Sequence, residues 1–128
     1  MFFEEWDEPL ISGIGWVSEL IGIAGGDDIF AELARGRSAK ERIVKPEQVV
    51  QSRPDIIIGS WCGKRFVPTK VRERASFADV PAVVTGELHE IKSTVILQPG
   101  PAALTDGLDA LQAIIEGWSR RAVQVGIP

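Results

Sequence analysis

This sequence predicts an α/β fold, a Rossmann-like three-layer sandwich with a mostly parallel sheet and helices on both faces. Three observations carry that expectation. Strand-like and helix-like segments alternate along the chain. Ile56-Ile57-Ile58 is a compact β-branched run, as a strand buried on both faces requires. Leu104, Leu108, Leu111, Ile115 and Trp118 recur at helical spacing and form one apolar stripe.

The elements follow in order. Residues 1–5 read as a short first strand, and 7–15 as a loop punctuated by Pro9, Ser12 and Gly13. Val17, Leu20, Ile21 and Ala24 mark a helix that Gly25-Gly26 stops. Residues 27–45 are irregular and polar, with a short helical turn expected over 29–34. Pro46 suits the first position of a helix, Glu47 suits its positive end, and Pro54 requires the helix to stop before it. The strand at 56–58 follows, then a loop over 60–67. Pro68 opens a helix carrying Lys70, Arg72, Glu73 and Arg74. Residues 82–84 and 88–91 read as two strands around the turn Thr85-Gly86. The apolar stripe is the last helix.

A length of 128 residues allows one domain with a real core. No run of 18 apolar residues occurs, so no membrane-spanning helix is expected. The amino terminus lacks the basic and apolar regions of an export signal. The net charge is −4, with Lys and Arg scattered among acids, which argues against a nucleic-acid partner. A single cysteine, Cys62, leaves no internal disulfide and no cysteine-built zinc site.

In open α/β sheets ligands bind beyond the carboxyl ends of the strands. Those ends fall at Glu4-Glu5-Trp6-Asp7, Ser60-Trp61-Cys62-Gly63 and Lys92-Ser93-Thr94. Trp6 and Trp61 each follow a strand, where a flat indole either packs under a neighbouring loop or meets a flat ligand. The carboxylates of Glu4, Glu5, Asp7 and Glu8 could hold a metal or transfer protons, and such a cluster is more often a solvated loop. No metal site is assigned. His89 alternates with Leu88 and Ile91 and reads as structural, and Cys62 as a small semi-buried residue. Gly13-Ile14-Gly15-Trp16-Val17-Ser18 imitates a dinucleotide fingerprint but lacks its third glycine, its tight strand–helix turn and its distal acid. No phosphate-binding GxxxxGK[ST] loop occurs. No catalytic set assembles, so the chain is expected not to be an enzyme.

Several motifs in order carry a family likeness. EEWDEPLISGIGWVSELIGIAGGDDIF, KPEQVVQSRPDIIIGSW, VPAVVTGELHEI and LQPGPAALTDGLDALQAI together resemble the second lobe of cobalamin- and siderophore-type substrate-binding proteins of ABC importers. The resemblance runs from residue 1 to about 118, with 119–128 as a tail. It implies one lobe of a two-lobe ligand clamp, and so a missing amino-terminal lobe as a partner. It also implies a parent protein that is periplasmic or a cell-surface lipoprotein, whereas the chain as written would be soluble and cytoplasmic. A fragment, a truncated gene product and a misplaced start all fit.

Carried over residue by residue, the resemblance makes Glu47 the group that docks on the membrane permease. It places ligand contacts at Glu5, Trp6, Asp7, Leu10, Arg42, Trp61, Cys62 and Ser93. The implied cargo is a cobalamin-like corrinoid, with no covalently bound cofactor. Cobalamin binders place an aromatic residue shortly before the docking glutamate. Glu41-Arg42 stands there in this chain, which keeps haem and ferric siderophores open as ligands. Two readings of other classes remain: a small nucleotide-binding enzyme domain using Gly13 and Gly15, and an interaction domain that forms homodimers through its exposed cleft face.

Overall fold

The computed structural model describes residues 1–36, 38–98 and 100–124. Among these residues five strands form one sheet in the order β3-β2-β1-β4-β5. They are β1 (Phe2–Asp7), β2 (Leu10–Ser12), β3 (Ile43–Val44), β4 (Ile57–Gly59) and β5 (Leu88–Glu90). β1, β4 and β5 are parallel; β2 runs against β1 and β3 against β2. Four of the five strands therefore point the same way, and the expected α/β class holds.

Phe2 and Phe3, neighbours on the central strand, are both fully buried on opposite faces, which is the period of two that a covered strand imposes. Phe2 packs with Val49 of α2 (Pro46–Ser52), Val71 of α3 (Pro68–Arg72) and Ala82 of α4 (Pro81–Thr85). Phe3 packs with Val17, Leu20 and Ile21 of α1 (Gly15–Ile23), Ile96 of α5 (Ser93–Ile96) and Leu111 of α6 (Leu108–Gln124). Helices thus cover both faces, and the layers number three.

Local chemistry explains most boundaries. The left-handed Gly25 follows α1, and Pro46 opens α2. The Gln48 side-chain oxygen accepts the Lys45 backbone N–H at 2.8 Å, satisfying a donor at the helix start. Arg53, left-handed just before Pro54, closes α2.

Four expectations are corrected. Residues 7–15 are not all loop, because Leu10–Ser12 turns back along β1 as β2 through a cis Glu8–Pro9 bond. Residues 82–84 are helix rather than strand: Pro81 sits at the first helical position and left-handed Gly86 caps the end, and these outweigh the β-branched pair Val83-Val84. The expected turn at 29–34 is shifted to a 3-10 turn at Leu33–Arg35, and a second one spans Ala39–Arg42 before β3. Leu104 leaves the apolar stripe and is 65% exposed. It lies in a wide π turn, Ala103–Gly107, which rotates it off the face that Leu111 and Trp118 bury. α6 itself runs to Gln124, and residues 125–128 lie outside the described residues.

The far end of α6 is tied to the sheet by charge. Glu87, buried just before β5, takes two hydrogen bonds from Arg121, the longer at 2.9 Å, and meets His89 Nε2 at 2.7 Å. Burial alone would push the Glu87 carboxyl up. The hydrogen bonds from Arg121 and His89 outweigh burial and hold it below its ordinary 4.5. A group depressed in this way stabilises the fold above its unfolded-state pKa and loses that contribution as pH falls through the folded value. The urea midpoint is therefore expected to fall as pH drops below 4.5. Glu87→Gln, weaker at neutral pH, should show a shallower fall in the same window. Parallel curves for the two proteins would assign the acid sensitivity to other carboxylates.

Candidate functional site

The register of the parallel strands places Glu4, Gly59 and Glu90 side by side in one row near the carboxyl ends. The loop 60–67 folds over this row and is fastened to each member. The Trp61 indole N–H donates to Glu4 Oε1 at 2.9 Å, and the Phe66 N–H donates to Glu90 Oε2 at 2.9 Å. The Phe66 ring lies where a Gly59 side chain would be, so close that an added Cβ would stand 1.9 Å from Cδ1. Arg74, just beyond α3, completes the anchorage with two bonds to Glu4, at 2.8 and 2.9 Å.

Two open clefts flank the anchored loop. The first, about 400 Å³, is lined by Trp61, Lys64, Arg65, Glu90, Lys92 and Ser93 among others. The second, about 390 Å³, is lined by Asp7, Glu8, Lys64, Lys70, Glu73 and Arg74. Lys64 borders both. Its ammonium lies 2.7 Å from Asp7 Oδ1, 4.3 Å from the Trp6 ring centroid and 5.0 Å from that of Trp61. Burial alone would raise the Asp7 carboxyl; its hydrogen bond and charge pairing with Lys64, helped by Lys70, hold it below its ordinary 3.8.

The expected site residues separate into three groups. Trp6, Asp7, Trp61 and Ser93 lie at the clefts or beside them, and Cys62 is exposed on the loop between. Trp61 is nevertheless only 2% exposed, packed edge-on against Phe66 at 4.9 Å and with the Lys64 ammonium over its ring, so little of it is open to a ligand. Leu10 is buried in the core as well. Glu5 and Arg42 are joined to each other at 2.9 Å, and Arg42 also donates to the Ser12 carbonyl. That pair holds β1, β2 and the approach to β3 together.

The four carboxylates near the first strand end do not form a solvated cluster. Glu4 is fully buried and neutralised by Arg74, and among the described residues no group of His, Cys, Asp and Glu is arranged to hold a metal. The dinucleotide imitation also fails structurally. The Ile14 N–H that would face an anion donates to Glu5 Oε1 at 2.7 Å, so the protein's own carboxylate fills that place.

Glu47 stands exposed in the first turn of α2. Val44 pairs with Leu10, and Leu10 pairs with Asp7, so α2 starts at the same end of the sheet as the clefts but along its β3 edge. The strand-end reading had reached Lys92, but sequence reasoning missed Lys64, Arg65 and the Glu4–Arg74 anchor. The available signal was the basic stretch from Lys64 to Arg74, which begins five residues after the strand-ending Gly59.

Among the described residues no helix is long and apolar enough to cross a membrane. The periplasmic binding protein family matches residues 1–95. No curated protein matches the chain. Solved structures share the fold. One is described as a possible iron-binding (periplasmic solute-binding) protein of Staphylococcus epidermidis, with TM-score 0.74 and 19% identity over 89% of this chain and 43% of that one. Another is the periplasmic vitamin B12 binding protein BtuF of Vibrio cholerae, with TM-score 0.72 and 22% identity over 92% of this chain and 44% of that one. A third is a periplasmic binding protein of Veillonella parvula, with TM-score 0.67 and 22% identity over 91% of this chain and 41% of that one. The chain spans less than half the length of each.

Proposed function

The chain belongs to the periplasmic binding protein family, and from that premise we propose that it works as one lobe of the substrate-binding component of an ABC importer. Its task is to hold a ligand, without turnover, between its strand ends and a second lobe. The observation that supports this reading is the pair of open clefts at the carboxyl ends of β1 and β4, built on a loop anchored at both ends. An open half-cleft offers few of the contacts that a closed site provides, so the second lobe supplies the rest.

The ligand proposed first is a cobalamin-like corrinoid, in keeping with the vitamin B12 binder among the similar folds. Lys64, Arg65 and Lys92 around one cleft favour a second reading, an anionic iron chelate such as haem or a ferric siderophore. Glu47 is the proposed contact to arginines of the permease: it is exposed, lies at the cleft end of the lobe and is absent from both cleft linings.

Two-dimensional NMR detects weak binding and tests the reading directly. The chain would be titrated with cyanocobalamin, gallium protoporphyrin and a gallium triscatecholate, all diamagnetic. At least one should perturb Trp6, Lys64, Arg65 and Ser93 together, and Glu47→Arg should leave that perturbation unchanged. If no ligand moves these resonances, the transport reading is wrong. If Glu47→Arg weakens binding, Glu47 belongs to the cleft and not to docking.

A further inference from the structure

We propose that Lys64 is the specificity-determining residue of this lobe, selecting ligands that carry an anionic oxygen, and that Asp7 holds it ready between the two clefts. This rests on the reading of the strand ends as the ligand site and adds the chemical class of the ligand's recognised group. The placement is unusual for a surface lysine. Its ammonium borders both clefts and lies within cation–π distance of Trp6 and Trp61, yet among the described residues its ion pair is with the one carboxylate of Asp7. Its side chain is 36% exposed, while that of Asp7 is 8% exposed, so the cation faces solvent and the anion stands behind it.

An ammonium donates three hydrogen bonds in different directions, and one carboxylate leaves donors free for a ligand. The indoles favour the cation without neutralising it. Arg65 and Lys92 line the same cleft, and Glu90, the acid there, has Oε2 committed to the Phe66 N–H. Three cations against one carboxylate make the field in that cleft positive, and a carboxylate, phosphodiester or catecholate oxygen entering it is drawn to them, with Lys64 reachable from the second cleft as well. Asp7 opposes such a ligand, because its charge offsets the one that attracts it.

Two variants should have opposite effects, which a purely structural role would not give. The probes are matched pairs: cyanocobalamin against dicyanocobinamide, which lacks the phosphodiester, and gallium triscatecholate against a neutral gallium trishydroxamate. Lys64→Gln should weaken the phosphodiester- or catecholate-bearing member by on the order of tenfold and leave its counterpart unchanged. Asp7→Asn should strengthen the same member and steepen the loss of binding with added salt. The proposal is overturned if Lys64→Gln affects both members of a pair equally, or if Asp7→Asn weakens binding. Wild-type binding that persists with charge-blind variants removes only this assignment. Absence of wild-type binding to every probe removes the ligand site as well.

Discussion

Arg74→Met should destabilise the lobe by about 3–5 kcal/mol, the scale of breaking a buried ion pair from one side. Glu4 is fully buried on the central strand, and Arg74 meets both of its oxygens. With the guanidinium gone, a buried carboxylate keeps the hydrogen bond from the Trp61 indole and loses its countercharge. Methionine keeps the length of the chain and removes the charge, so the loss reports electrostatics more than packing. The double variant Glu4→Gln/Arg74→Met should recover much of the stability, because a neutral amide costs far less to bury. Urea unfolding of the three proteins decides it. Equal losses in the single and double variants would show that Arg74 matters through its packing over Phe77, whose ring it approaches at 5.3 Å.

The contact between Gly59 and Phe66 comes next in expected effect, and Gly59→Ala acts through it on the site as well as on the fold. The added methyl would lie 1.9 Å from Phe66 Cδ1 and 2.2 Å from Cε1, distances no rotamer of alanine relieves. The ring cannot swing away freely, since Trp61 packs against it edge-on. Overpacking of this kind costs about 1–3 kcal/mol, and here it also displaces the loop that carries Lys64 and Arg65. Phe66→Ala alone should cost about 3–5 kcal/mol through the void it leaves. Adding Gly59→Ala to Phe66→Ala should then cost nothing further, because the clash has lost its partner. Strict additivity of the two losses would mean that Gly59 is required for its backbone and not for the space it leaves.

How far the sequence disclosed this arrangement depends on the range of the forces involved. The buried triplet before Gly59, the helix opened by Pro46 and the stop at Gly25-Gly26 are local signals, and each names its element correctly. The hairpin at Leu10–Ser12 has no such signal, because β2 is short and its pairing with β1 decides its structure. Val83-Val84 misleads by propensity, since proline and glycine at either end set the backbone. At the candidate site, position was legible and role was not. The strand-end rule finds Trp6, Asp7, Trp61 and Ser93. Trp61 is buried by Phe66, five residues later, and the charge on Glu4 is met by Arg74, seventy positions away. No spacing within a loop encodes partners that only the parallel register brings together.

The two outer strands of the sheet, β3 with two residues and β5 with three, have a bearing on how copies of the chain can meet. An edge that brief presents only a few free backbone donors and acceptors, too few to template a partner strand. Sheet extension between molecules is thereby disfavoured, and crowding should not draw the lobes into continuous ribbons. Any lasting encounter between copies has to use side-chain surface instead of paired strands. The lobe's borders thus keep its sheet closed to its own copies, whatever its other surfaces meet.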